Sequence, residues 1–137
     1  MAALALTTAE RIEIVESIEQ ATLPAAEAIT AGAPVRIDTD GKFANGNGTT
    51  ATEAAVYGIA TRTVIANEAV TAVKKGVLDG FALGAIAQNT SVYVADTDAT
   101  LATTAGEATV DVIVGRVIPA WGQPLGTAAD KLLEVDL

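Results

Sequence analysis

Two Asp-Thr-Asp tripeptides, Asp38-Thr39-Asp40 and Asp96-Thr97-Asp98, are the residues whose type and spacing most suggest chemistry. Alternating carboxylates are oxygen donors, and calcium gathers six to eight such oxygens around a sharp, glycine-assisted loop. A helix-loop-helix calcium loop needs acidic or amide side chains at positions one, three and five, glycine at six and glutamate at twelve. Counted from Asp38, position twelve is Thr49; counted from Asp96 it is Glu107, but positions five and six are Thr100 and Leu101. Neither copy fits. An Asp-x-Asp metal site of the nucleotide-sugar transferase kind needs an α/β nucleotide-binding domain, and no strand–helix alternation is present. The turn reading explains more. Asp38 suits the first position of a type I turn and Gly41 the fourth, and an Asp side chain caps its own backbone in such turns.

Other catalytic chemistry is thin. The chain has 137 residues with no cysteine and no histidine, which excludes disulfides, thiolate ligands and the commonest general base. Ser17 and Ser91 are the only serines, and no imidazole exists to activate them. The "GNG" stretch lacks the lysine and hydroxyl of a phosphate loop. The acids lie mostly in turns or alternate with apolar residues, so a paired-carboxylate glycosidase is a distant third reading. An enzyme is not expected, nor any cofactor or metal.

A net charge of −9 disfavours nucleic acid and anionic membrane surfaces as partners. No apolar run approaches the ~20 residues of a membrane-spanning helix, and the opening "MAALALTTAE" is not read as a signal peptide.

The elements that hold the two tripeptides read as β-structure. The stretches 34–38, 55–64, 69–78, 91–95, 109–118 and 131–137 are short and rich in β-branched residues. Asp40-Gly41, Asn45-Gly46, Asn47-Gly48, Asp79-Gly80 and the span 122–126 punctuate them. This predicts a mainly β chain, a compact barrel or sandwich of short strands, with 44–54 as an exposed, mobile polar loop. Trp121 falls on a loop between Pro119 and Pro124.

The chain also matches itself. Ala28-Ile29 and Ala85-Ile86, Val35 and Val92, Gly58 and Gly115, Lys74 and Lys131, Leu78 and Val135, and Asp79 and Asp136 all stand 57 positions apart. We therefore expect two similar halves, 28–80 and 85–137, within one β domain spanning 28–137. The tripeptides slip by one residue, which assigns Ala95 to a bulge.

Residues 1–27 form an N-terminal arm. Within 7–23, Thr7 and Glu10 fit a capping box, and Ile14, Val15, Ile18 and Ala21 share one helical face. The alternation Ile12-Glu13-Ile14 also suits an edge strand. The pattern favours helix slightly, with Ile12 on the wrong side of it.

The ordered set "LPAAEAITAGAPVRIDTDGKF", "VYGIATRTV", "VKKGVLDGF", "VYVADTDATLATTAG", "VGRVIPAWG" and "DKLLEVDL" resembles the small head decoration (cement) proteins of tailed bacteriophages. None of these motifs is catalytic. The resemblance implies a β-rich domain on the outer capsid surface of the virion that stabilises the assembled head. The implied partners are the major capsid protein and further copies in a homotrimer, although the duplication puts that stoichiometry in question. Thr7, Arg11, Ile12, Ile14, Val15 and Trp121 are then the expected contact residues. The rival reading is an all-β binding module for carbohydrate or a host surface. It would stack its ligand on Trp121, Tyr57 and Tyr93, the aromatic candidates other than Phe43 and Phe81.

Overall fold

A computed structural model describes residues 4–6, 12–104, 109–119 and 131–137. The chain is all-β, and no helix occurs among the described residues. Among the described residues nine strands follow in order: β1 (Glu13–Pro24), β2 (Pro34–Ile37), β3 (Phe43–Asn45), β4 (Gly58–Ala60), β5 (Ala69–Asp79), β6 (Ser91–Val94), β7 (Leu101–Ala102), β8 (Ile113–Pro119) and β9 (Lys131–Asp136). They form one curled antiparallel sheet ordered β3-β2-β4-β5-β9-β8-β6-β7, with β1 on β5.

β5 is the spine. β1 pairs along its whole length, from Glu13↔Asp79 to Pro24↔Ala69. A strand has two edges, so β4 and β9 must share the other. β4 takes Ala72 and Val73, and β9 takes Lys75 to Leu78. The sheet divides there, and isolated contacts complete the curl of each part. Ala25 bridges to Phe43 at the β3 end, while Leu4 N donates to Leu101 O and Leu6 bridges to Phe81 at the β7 end.

Two apolar clusters fill the curls. One gathers Ala25, Ile29, Val35, Phe43, Ala60, Val64, Val70 and Ala72; the other gathers Ile12, Ile59, Val73, Leu78, Phe81, Val92, Leu101, Val114, Leu133 and Val135. β-Branched and leucine side chains alternate inward on short strands, and their removal from water is the main driving term.

The strand order reads as a palindrome of two four-strand sets, β3-β2-β4-β5 and β9-β8-β6-β7. Val35 faces Gly58 and Val92 faces Gly115, so both members of the second pair lie 57 positions beyond the first. The last strands depart from that offset. Ile59 faces Val73, whereas Arg116, which is 57 on, faces Glu134, which is 61 on from Val73. Lys131, Val135 and Asp136 therefore do not occupy the ladder positions of Lys74, Leu78 and Asp79. A shift of four residues is even and moves no strand residue to the other face, but the equivalence is of backbone only: Ile59 and Val73 are fully buried, whereas Arg116 is exposed and Glu134 half-buried.

Three expectations are corrected. The arm is extended rather than helical over Glu13–Pro24. The polar segment 44–54 is docked, with Ala44, Asn47 and Ala54 buried. Ala95 is not a bulge: β6 and β7 pair without interruption through Tyr93↔Ala102 and Val94↔Leu101, and Ala95 N continues the ladder to Thr100 O at 3.0 Å. The extra residue is taken up by a longer loop. The capping box at Thr7 and Glu10 lies outside the described residues.

Candidate interaction surface

The two Asp-Thr-Asp elements are both hairpin turns, built differently. In the first, Gly41 N donates to Asp38 O at 3.1 Å, and Gly41 itself sits at φ 77°. That is a type I turn closed by a left-handed glycine, a common three-residue hairpin connection. Asp38 Oδ1 accepts from the backbone N–H of Lys42 and of Asp40, each at 2.9 Å. The Lys42 bond above all, with that of Asp40 adding to it, holds the Asp38 carboxyl below its ordinary range.

In the second turn Ala99 takes the left-handed position, at φ 61°. There the third residue, not the first, is the acceptor. Asp98 Oδ1 receives Asn47 Nδ2 at 3.0 Å, across from the other half of the chain. Asn47 is buried, and its Oδ1 accepts Thr49 N at 3.0 Å and Thr49 Oγ1 at 2.5 Å. Gly48 N reaches Ala95 O, and Ala99 N reaches Gly46 O. The supposedly loose segment is thus the clip between the halves. Among the described residues no three carboxylates gather as a metal-holding group.

β1 is the most exposed strand among the described residues. Eight successive residues from Glu13 to Gln20 are exposed, and among the described residues no strand takes its outer edge. Its ends are pinned. Ile12 is buried and donates its N–H to Thr61 O, and Ala25 is fully buried against Phe43. Two register breaks on β1 leave Val15 and Ile18 as extra residues, and a third leaves Lys74 extra on β5. Each break resets the alternation, so Glu13, Glu16 and Glu19 face Asp79, Val77 and Lys75 and come to lie on one face. Glycine at 76 permits this, since a Cβ there would overlap the Glu16 carbonyl oxygen.

Of the expected contact residues, Ile14 and Val15 are exposed on this strand, whereas Ile12 belongs to the core. Thr7, Arg11 and Trp121 lie outside the described residues. Ile18, 72 % exposed, is the most open large apolar side chain described. It was legible only as part of a helical stripe.

Of the stacking candidates, Tyr57 is engaged within the protein, Tyr93 is half-buried on β6, and Trp121 lies outside the described residues. Phe43 and Phe81 are core. Tyr57 packs on Phe43 at 5.6 Å, with the Lys74 ammonium over its ring at 5.5 Å. Burial, and next the charge of Glu19, raise the Tyr57 hydroxyl above its ordinary range. Comparison of the chain with family models, with curated proteins and with solved structures finds no match.

Proposed function

We propose that the protein is a structural decoration protein, which binds the outer face of an assembled tailed-phage head and stabilises it. The sequence resemblance motivates this reading, and the open strand β1 is the observation that carries it. An acidic chain leaves Ile14, Val15 and Ile18 exposed on one strand. Exposed apolar side chains concentrated in one place mark interaction surfaces.

The two parts of β1 offer different contacts. Gln20–Pro24 pairs with β5 in regular register, so its outer edge offers backbone groups to an added strand, with Pro24 contributing a C=O but no N–H. The Glu13–Glu19 stretch is bulged, which spoils a ladder but pushes Val15 and Ile18 outward for side-chain packing. A ligand that binds only the assembled shell stabilises it by mass action. Several copies joined as a trimer raise the effective concentration at each site. The partner in this reading is the major capsid protein, and the remaining acidic surface keeps particles apart.

The test is co-sedimentation with heads stripped of decoration. Wild-type protein pellets with the heads and raises their disruption temperature. An Ile14→Ser/Val15→Ser/Ile18→Ser variant binds at least tenfold more weakly. Wild-type protein that stays in the supernatant at micromolar concentration overturns the proposal.

A further inference from the structure

We infer that the outer face beside β1 is a receptor for a cationic side chain, arginine or lysine, carried on an extended segment of a partner protein. The site is an open groove of about 220 Å³ along β1, β5 and β9, lined by Glu16, Ile18, Lys75, Val77, Glu134 and Asp136. Glu16, Val77 and Glu134 stand directly opposite one another across three strands and so share one face. Strands lie about 4.8 Å apart, which places the two glutamates about 10 Å apart on either side of Val77.

The charges around the groove are unequally satisfied. Lys75 is held by Asp136 at 2.9 Å, and Glu19 reaches Lys74 at 3.7 Å. Arg116 faces Glu134 on β8 but directs its guanidinium to Asn89 Oδ1 at 3.0 Å. No described residue forms a salt bridge with Glu16 or Glu134. Two carboxylates therefore flank an apolar floor of Val77, which is buried, beside Ile18, which stands out into water. The shape and charge complement one chemistry. A basic side chain lays its aliphatic stem on Val77 and Ile18 and brings its head to both carboxylates, where a guanidinium has donors for two acceptors.

A second copy of this chain is the wrong occupant. Its net charge is −9, and two β1 strands laid antiparallel about Glu16 would set glutamate against glutamate at 13, 16 and 19, which is destabilising. This inference deepens the decoration reading by naming the chemistry of the partner, but its test uses no particle, so the two fail separately.

The test is fluorescence anisotropy of the full chain with a labelled Gly-Val-Arg-Val-Arg-Val-Gly peptide, its lysine analogue and its glutamate analogue. The basic peptides bind and the acidic one does not, and binding weakens as salt rises from about 0.05 to 0.5 M. Glu16→Gln and Glu134→Gln each weaken binding about threefold and together about tenfold, the scale of partly exposed ion pairs. Ile18→Ser also weakens it, while circular dichroism confirms that each variant is folded. Equal binding of basic and acidic peptides, no binding of either, or an unchanged double variant overturns the inference. So does a wild-type dimer, seen by sedimentation velocity, that Ile18→Ser dissolves.

Discussion

Gly58 and Gly115 provide the sharpest test of the strand registers. Each sits where a second strand passes unusually close. A Cβ built on Gly58 would lie 2.5 Å from Val73 O and 2.7 Å from its carbonyl carbon. On Gly115 it would overlap Glu134 O outright, with the carbonyl carbon at 2.7 Å and Val135 Cα at 3.1 Å. The obstacles are backbone, so the strands themselves must separate. Forcing atoms into such packing costs about 1–3 kcal/mol and sometimes more. The deeper overlap puts Gly115→Ala at about 3 kcal/mol and Gly58→Ala at about 2. Gly41→Ala is the control. Nothing lies within 4 Å of its added Cβ, so only the left-handed φ of 77° counts against alanine. That strain is about 1–2 kcal/mol, partly offset by a less flexible unfolded chain. For a domain of this length 1 kcal/mol moves the midpoint by roughly 4 °C. Thermal unfolding followed by circular dichroism is then expected to drop by about 12, 8 and 4 °C for Gly115, Gly58 and Gly41. A Gly115→Ala midpoint within about 2 °C of wild type, or Gly41→Ala as the worst of the three, refutes the close approach and the register behind it.

Two further predictions concern the tripeptide turns. Asn47→Ala removes a buried amide that serves both Asp98 and Thr49, so urea denaturation should show a loss of about 2 kcal/mol. Asp98→Ala, at an exposed position, should cost about half as much, and the double variant less than the sum by at least 0.5 kcal/mol; strict additivity removes the clip. Asp38 predicts a pH signature. Its folded-state pKa is depressed, so its contribution is present above its ordinary value and is lost as pH falls through the folded value. Asp38→Asn keeps the acceptor oxygen but not the charge. The stability advantage of wild type over this variant should therefore shrink as pH falls below the ordinary aspartate value of about 3.9, and a constant difference contradicts the turn hydrogen bonds.

The β-architecture was legible because most strands announce themselves locally. Val35/Ile37 and Val92/Val94 alternate and then run into turn residues, and the observed β2 and β6 cover those positions. The docked segment 46–54 was not legible. Its polarity is satisfied by Asp98 and Ala95, about fifty residues away in sequence, and a window of local composition cannot report such partners. The predicted strand 55–64 narrowed to Gly58–Ala60 for a related reason. Val64 instead pairs with Ile29 alone, a long-range choice that β-propensity does not encode.

The arm shows how a correct pattern can carry the wrong meaning. The apolar residues Ile14, Val15, Ile18 and Ala21 share one face at the helical period, and beside them Glu13, Glu16 and Glu19 recur every three residues. An unbroken strand has period two and would scatter those glutamates over both faces. β1 reaches a period of three by adding one residue to each two-residue step, Val15 in the first and Ile18 in the second. The glutamates thereby share a face, and the two added apolar side chains project where a continuous ladder would have no place for them. Such bulges also keep an edge strand from adding indiscriminately to other sheets. One device therefore accounts for the misread helix, the acidic row and the exposed apolar pair. It also ties the surface to Gly76. A Cβ there would strike the Glu16 carbonyl oxygen, so Gly76→Ala perturbs the β1 register and the groove together.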